Sequence, residues 1–459
     1  MTALLFRGAT VFGPHGPRHT DVAVEGETIA ALGDGIDPAG ADVVDASGLW
    51  LLPGAVDAHV HGRDPGFPAK EDFASLTAAA AAGGVTTVVD MPNSVPAIDS
   101  APALEAKREL IGGRARVDYA LWGVVRTAST EADLLGLLDA GVVGIKAFLG
   151  YALRRANNQV VYTLDLDDDG LEAPPDYGTL ARIAPVLAGR GAPLAVHAED
   201  PGILREFARP LRAYADVLAS RPASAEAVAV AALGVISRDS GCPVHVVHLS
   251  SRAGLDAARA ARGGGAHLEI ETCPQYVWCT DEDAARIGPV AKMFPPIRTA
   301  DDRAALREGL RDGDIARVGT DHAPHEDAEK VGVSWDEAAP GTPGVETLYL
   351  SCLELTRDME LPAAAAVRWV AEAPARALGI YPSKGVIEPG ADADLVLVDP
   401  HGETVVAAER MHSRQRHGVF EGRRFGFSIE GVWLRGHRIG GGGAEATQGL
   451  GRFVRPVRR

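Results

Sequence analysis

The sequence predicts an α/β protein: a (β/α)8 TIM-type barrel with a small composite β-sandwich assembled from both chain ends. Three observations predict this. Between residues 54 and 384, short apolar β runs alternate with Ala/Leu-rich helical runs, the pattern of βαβ units and a parallel sheet. Residues 1–53 and 385–459 read instead as short strands parted by turn residues. Polar residues able to bind metal recur where the central strands end, and in a barrel those ends meet on one face. A doubly wound sheet is the alternative fold, but no Gly-rich dinucleotide fingerprint follows the first strand.

The elements follow in order. Ala3–Phe6, Thr10–Phe12, Asp21–Val24, Thr28–Leu32 and Val43–Asp45 read as strands, separated by turns such as Gly13-Pro14 and Glu25-Gly26. The apolar run Leu49–Leu52, broken by Pro53-Gly54, reads as a short strand entering the polar stretch Asp57–Gly66. The central β runs are Val85–Asp90, Val117–Val124, Val142–Leu149, Leu194–His197, Val244–Leu249, His267–Ile270 and Ala316–Gly319. Helical stretches include Phe73–Ala82, Ala132–Asp139, Tyr177–Leu187, Ala223–Ser237, Gly254–Ala261 and Asp301–Leu310. Residues from Arg154 to about Asp176, with Asp165, Asp167, Asp168 and Asp169, break this rhythm and read as a loop or hairpin insertion at the strand mouths. Gly385–Asp399 and Ile429–Arg435 return to β texture before the glycine run Gly440–Gly443. The Arg-rich end (Arg452, Arg455, Arg458, Arg459) reads as a solvated tail.

With 459 residues, 46% of them hydrophobic, and a mean hydropathy of +0.01, the chain can bury a sizeable core. A net charge of −17 opposes nucleic-acid binding, which relies on Lys and Arg to neutralise phosphate. Charged residues, Gly or Pro interrupt every apolar run before it reaches membrane-span length, and the N-terminus lacks a secretory pattern. Cys242, Cys273, Cys279 and Cys352 show neither metal spacing nor a disulfide framework. The expected location is the cytoplasm.

His59 and His61 alternate with Val60, so both imidazoles leave one side of a strand end, half of a divalent-metal site. Further along, Lys146, His197, His248 and Asp321 occupy comparable positions. A charged lysine inside a doubly buried strand costs several kcal/mol, so Lys146 is expected to find a partner or lose its charge. A neutral lysine can take up carbon dioxide, and the resulting carbamate can bridge two metals. His59, His61 and Asp321 would then hold one ion, His197 and His248 the other, with Lys146 across both. Two Zn²⁺ against a carbamate, Asp321 and a bridging hydroxide leave a single surplus positive charge, suited to a developing oxyanion. His245 lies three residues before His248, an odd offset on a strand, and is expected to face away.

These motifs resemble the amidohydrolase superfamily, and within it the cyclic-amidase branch of dihydroorotases, allantoinases and hydantoinases. The resemblance runs from the N-terminal strands through Glu388–Leu395. It implies a (β/α)8 barrel, a composite β-sandwich, a binuclear zinc centre, hydrolysis of a ring amide and assembly into dimers or tetramers. In dihydroorotases, His-x-His-x-Arg, Met-Pro-Asn and Asp-His-Ala-Pro-His carry the groups that hold the substrate carboxylate, here Arg63, Asn93 and His325. Gly341–Thr347 resembles the dihydroorotase loop that meets the ring. Other features resemble hydantoinases or allantoinases: the strand Gly144–Leu149 with Lys146, and Thr272–Tyr276. Phe294 stands where dihydroorotases often have Asn.

The resemblance therefore implies L-dihydroorotate as substrate, cleaved to N-carbamoyl-L-aspartate with Asp321 as general base and then acid. The alternatives are allantoinase or hydantoinase activity, or action on another carboxylated heterocycle. Arg63 could instead pair with Asp64, Glu71 or Asp72 and only shape its loop. A non-catalytic scaffold is the rival of a different class, opposed by six filled ligand positions.

Overall fold

A computed structural model describes residues 3–163, 167–441 and 447–458. At the N-terminus β1 (Ala3–Gly13) and β2 (Gly16–Glu25) form a long antiparallel hairpin continued by β3 (Thr28–Gly33). β4 (Asp42–Asp45) and β5 (Trp50–Pro53) run parallel to β1. The two short strands expected before Gly13 are one strand, irregular between Phe6 and Ala9.

The eight staves of the barrel begin with β6 (Ala55–Val60) and β7 (Val85–Asp90). The third stave is β8 (Asp118–Leu121) with β9 (Gly123–Val124), interrupted at Trp122, and the fourth is β10 (Ile145–Phe148). A hairpin sheet of β11 (Tyr151–Arg154), β12 (Gln159–Tyr162) and β13 (Leu171–Glu172) then rises from the barrel mouth. The staves resume with β14 (Leu194–His197), β15 (Val244–Val246), β16 (Leu268–Thr272) and β17 (Arg317–Val318). Their pairings are parallel, and the His61 amide donating to the His322 carbonyl at 2.8 Å closes the last stave onto the first. Every residue of β6, β7, β10 and β14 is buried, as both faces of a barrel stave require.

The chain end supplies β18 (Leu395–Asp399), a small β19–β20 ladder (Thr404–Val405 with Arg424–Phe425), β21 (Ser428–Leu434) and β22 (His437–Gly440). β18 pairs with β5, so strands of both termini join one eight-stranded sheet with its own core around Phe6, Val22, Leu51, Leu395 and Trp433. The run Leu49–Leu52 thus belongs largely to the terminal sheet, and the histidines ride on a separate strand beyond Gly54. A Cβ at Gly54 would fall 2.0 Å from Thr86 Oγ1, so the crossing between the two sheets requires glycine there.

The terminal sheet is pinned to the barrel by a buried ion cluster. Lys384 Nζ lies 2.5 Å from Asp118, 2.8 Å from Asp392 and 2.7 Å from Asp394, and Arg435 also reaches Asp118. The Arg-rich end is not a solvated tail. The Tyr119 amide donates to the Arg452 carbonyl, the Val454 amide returns to Tyr119, and Arg458 donates to the carbonyls of Leu138 and Val142. Phe453 packs on Tyr119 and under Arg108, and that apolar contact draws the segment onto the barrel. Arg459, Asp165 and Gly442–Gly443 lie outside the described residues.

Among the described residues, the stretch Tyr214–Ser240 is long and apolar enough by composition to cross a membrane. It consists of two helices, Tyr214–Ser220 and Ala223–Ser240, broken at Arg221-Pro222. Arg221 and Glu226 in it are buried and satisfied by Glu199 and by Ser250 and Ser251.

Candidate active site

The six expected ligand positions line one cavity of about 290 Å³ at the C-terminal mouth of the barrel. His59 closes toward Asp321 with Nε2 3.3 Å from Oδ1, and His61 Nε2 lies 3.1 Å from the same oxygen. On the other side His197 Nδ1 and His248 Nε2 approach to 2.9 Å. Lys146 points into the barrel from β10, because its neighbours Ile145 and Ala147 pack outward against the helices. Its Nζ is fully buried without a hydrogen-bond partner, and burial pushes the ammonium down to about 7. His59, His61 and Asp321 bring ligand atoms within 4.8 Å of one another, and with the His197–His248 pair and the buried amine lining the same cavity this donor set fits a divalent-metal centre.

The backbone is strained where it presents these groups. Among the described non-glycine residues with positive φ are Arg63 (56°), His248 (42°) and Asp321 (51°). Asp321 is held there by its neighbour: the Thr320 amide and hydroxyl both donate to buried Asp57, and the Thr320 hydroxyl accepts from the His322 amide. His248 explains a failed expectation about His245. β15 ends at Val246, so His248 lies beyond the regular strand and strand parity does not relate the two. His245 faces inward, with Nε2 3.2 Å from Glu271 Oε2 and its ring beside Trp122.

Three imidazoles have one ring nitrogen engaged away from the cavity, which fixes which nitrogen remains for a ligand. His61 Nδ1 lies 2.8 Å from Asn93 Oδ1, His59 Nδ1 3.0 Å from Glu271 Oε1, and His197 Nε2 3.1 Å from Glu199 Oε2. Asn93 lines the cavity as expected but spends its carbonyl on His61. Glu199 and Glu271 escaped the sequence reading. Their available signal was an acidic residue inside or just past an apolar stave, at a position that burial would otherwise penalise.

The walls differ in chemistry. On one side Arg63 Nη2 approaches His325 Nε2 at 3.2 Å, and among the described residues no carboxylate pairs with it. Asp64 pairs with Arg114, Asp72 with Arg414, and Glu71 is taken by Ser75 and His322, so the alternative reading of Arg63 as a loop brace fails. His325 accepts from Lys70 Nζ at Nδ1 (3.1 Å) and donates from Nε2 to the Pro340 carbonyl (3.0 Å). Lys70 is in turn 2.6 Å from Glu329. Opposite stands an aromatic wall of Phe148, Tyr151, Tyr162 and Phe294. Tyr151 and Tyr162 come from the insertion's hairpin. Tyr151 packs edge-on against His197 at 5.1 Å, and Arg221 lies 3.7 Å over Phe294.

Burial, with Arg63 and Lys70 nearby, lowers the His325 pKa from 6.5 to about 3. The unfolded chain therefore binds this proton first. The stability neutral His325 supplies is complete above pH 6.5 and declines as pH falls toward 3. Ring nitrogen NMR at pH 5 is expected to find His325 neutral, and His325→Gln to flatten that part of the stability profile; a charged ring at pH 5 contradicts the assignment.

Comparison with known proteins agrees with this architecture. Residues 50–439 match the model of the amidohydrolase family. The chain is 37% identical to an allantoinase of Rubrobacter xylanophilus, covering 99% of this chain and 98% of that protein. It is 35% identical to a dihydroorotase of Pelotomaculum thermopropionicum, covering 92% and 94%. Among solved structures, the L-hydantoinase (dihydropyrimidinase) of Arthrobacter aurescens superposes with a TM-score of 0.90 at 29% identity, covering 99% and 100%. The chain is an enzyme of the amidohydrolase family, in its cyclic amidohydrolase branch.

Proposed function

We propose that this protein opens the ring amide of allantoin by hydrolysis, with His59, His61, Lys146, His197, His248 and Asp321 holding two zinc ions and Lys146 carrying a bridging carbamate. The observation that carries the reaction type is the orphaned, fully buried Lys146 amine between two converging donor sets. Likeness to allantoinases across the whole chain favours allantoin over dihydroorotate, the ring first expected from Arg63, Asn93 and His325.

Bound there, two divalent cations supply Lewis acidity and an acidified water. The remaining steps fall to the protein. Asp321, a cavity-lining carboxylate, takes the proton as water oxygen bonds to the ring carbonyl carbon. It returns that proton to the ring nitrogen as the C–N bond breaks, leaving an opened ureide with a new carboxylic acid, which ionises by releasing its remaining proton to solvent. Arg63 donates to a carbonyl oxygen of the substrate's ureido substituent, and Asn93 keeps the His61 ring aligned. The aromatic wall excludes bulk water and orients the flat ring. Four free, buried cysteines suit a reducing compartment, and the cytoplasm is the location proposed.

Dihydroorotate remains as a second reading because Arg63 meets no carboxylate of the protein and can receive one from a substrate. A panel of allantoin, dihydroorotate, hydantoin and dihydrouracil separates the readings. Allantoin is expected to give the highest kcat/KM; turnover of dihydroorotate alone would reverse the assignment. Arg63→Met should cost dihydroorotate at least tenfold more than hydantoin, which lacks a substituent to grip, and equal losses would remove Arg63 from substrate binding. Asp321→Asn is expected to abolish turnover while the folded protein keeps most of its metal; substantial residual activity would rule out its proton-transfer role.

A further inference from the structure

Below the converging donors lies a polar layer that the proposed reaction does not use. Glu271 is fully buried on the inward side of β16, between the staves β15 and β17. Its Oε1 lies 3.0 Å from His59 Nδ1, and its Oε2 lies 3.2 Å from His245 Nε2 with no hydrogen bond of its own. Among the described residues it meets no lysine or arginine at ion-pair distance. A carboxylate is a costly group to seal in a barrel, and nothing in the packing of β16 asks for one. Space has been left for it: a Cβ on Gly319 would sit 2.9 Å from Glu271 Cδ.

We infer that Glu271 is a positioning residue for the metal centre, holding the His59 ring so that Nδ1 carries the proton and Nε2 faces the ion, with His245 bracing the carboxylate from beneath. The inference rests on the metal-site reading above. The 3.0 Å contact engages His59 at Nδ1, so Nε2 is the ring nitrogen left to face a cation. The arrangement is one-sided. Glu271 meets a ring nitrogen of His59 and of neither His197, whose ring is engaged by Glu199, nor His248, of which only the backbone reaches it. Its loss should therefore weaken one of the two ions and spare the other.

The test is zinc affinity, measured by chelator competition and elemental analysis on the purified full chain, without reference to any substrate. Wild type is expected to hold about two ions per chain. Glu271→Gln should lose roughly 10–100-fold in affinity at one of them, with the other unchanged. Gly319→Ala, which keeps the carboxylate but crowds it, should shift the same ion in the same direction by less. The double variant should bind no more weakly than Glu271→Gln alone. Wild-type affinity at both ions in folded Glu271→Gln would overturn the inference, as would an unchanged Gly319→Ala should Glu271→Gln fail to fold. A wild-type protein that binds no zinc would instead sink the metal-site reading itself.

Discussion

The structure depends on one unpaid desolvation: a lysine amine sealed inside a parallel barrel with no oxygen to receive it. Taking an ammonium from water into such surroundings costs several kcal/mol, and among the described residues Lys146 has no hydrogen-bond partner. The carboxylates of Asp321 and Glu271 act on it only at longer range and do not offset the cost of burial. Under the proposed reading, conversion of the amine into an anionic carbamate would reverse that balance, because the same low-dielectric setting would strengthen its attraction to bound cations.

Precision in the surrounding ligands comes from two devices. One is backbone strain: Arg63, His248 and Asp321 sit in left-handed conformations just past the ends of their staves, aiming side chains that a regular strand would send elsewhere. The other is a partner for one nitrogen of three of the rings, from Asn93 at the cavity wall and from the buried Glu199 and Glu271. Glu199 is itself neutralised by Arg221, whose guanidinium also lies against Tyr162 and Phe294. The candidate ligand His197 and the aromatic wall are thereby mechanically joined.

Much of this was legible beforehand, for physical reasons. Barrel staves are buried on both faces, so they stand out as apolar runs, and metal ligands are polar interruptions at their ends. Hence His59, His61, Lys146, His197, His248 and Asp321 could be picked from distant segments as residues of one cavity, which is where the fold brings them. What escaped detection depended on tertiary placement. Glu271 and Glu199 resemble any acidic residue until burial is known. His245 was misplaced because β15 stops two residues before His248. The arginines near residue 455 look solvated in sequence because Phe453 between them has no periodic partner there, only Tyr119 in space. Choice of ring was least legible, since Arg63, Asn93 and His325 follow one activity's pattern while the Lys146 stave follows another's.

The most direct measurement is carbon-13 NMR of protein prepared under labelled carbon dioxide, with zinc counted in the same sample. A carbamate resonance that vanishes in Lys146→Ala, alongside about two zinc ions per wild-type chain, is the predicted result. An unmodified lysine in a chain devoid of bound metal would contradict the account.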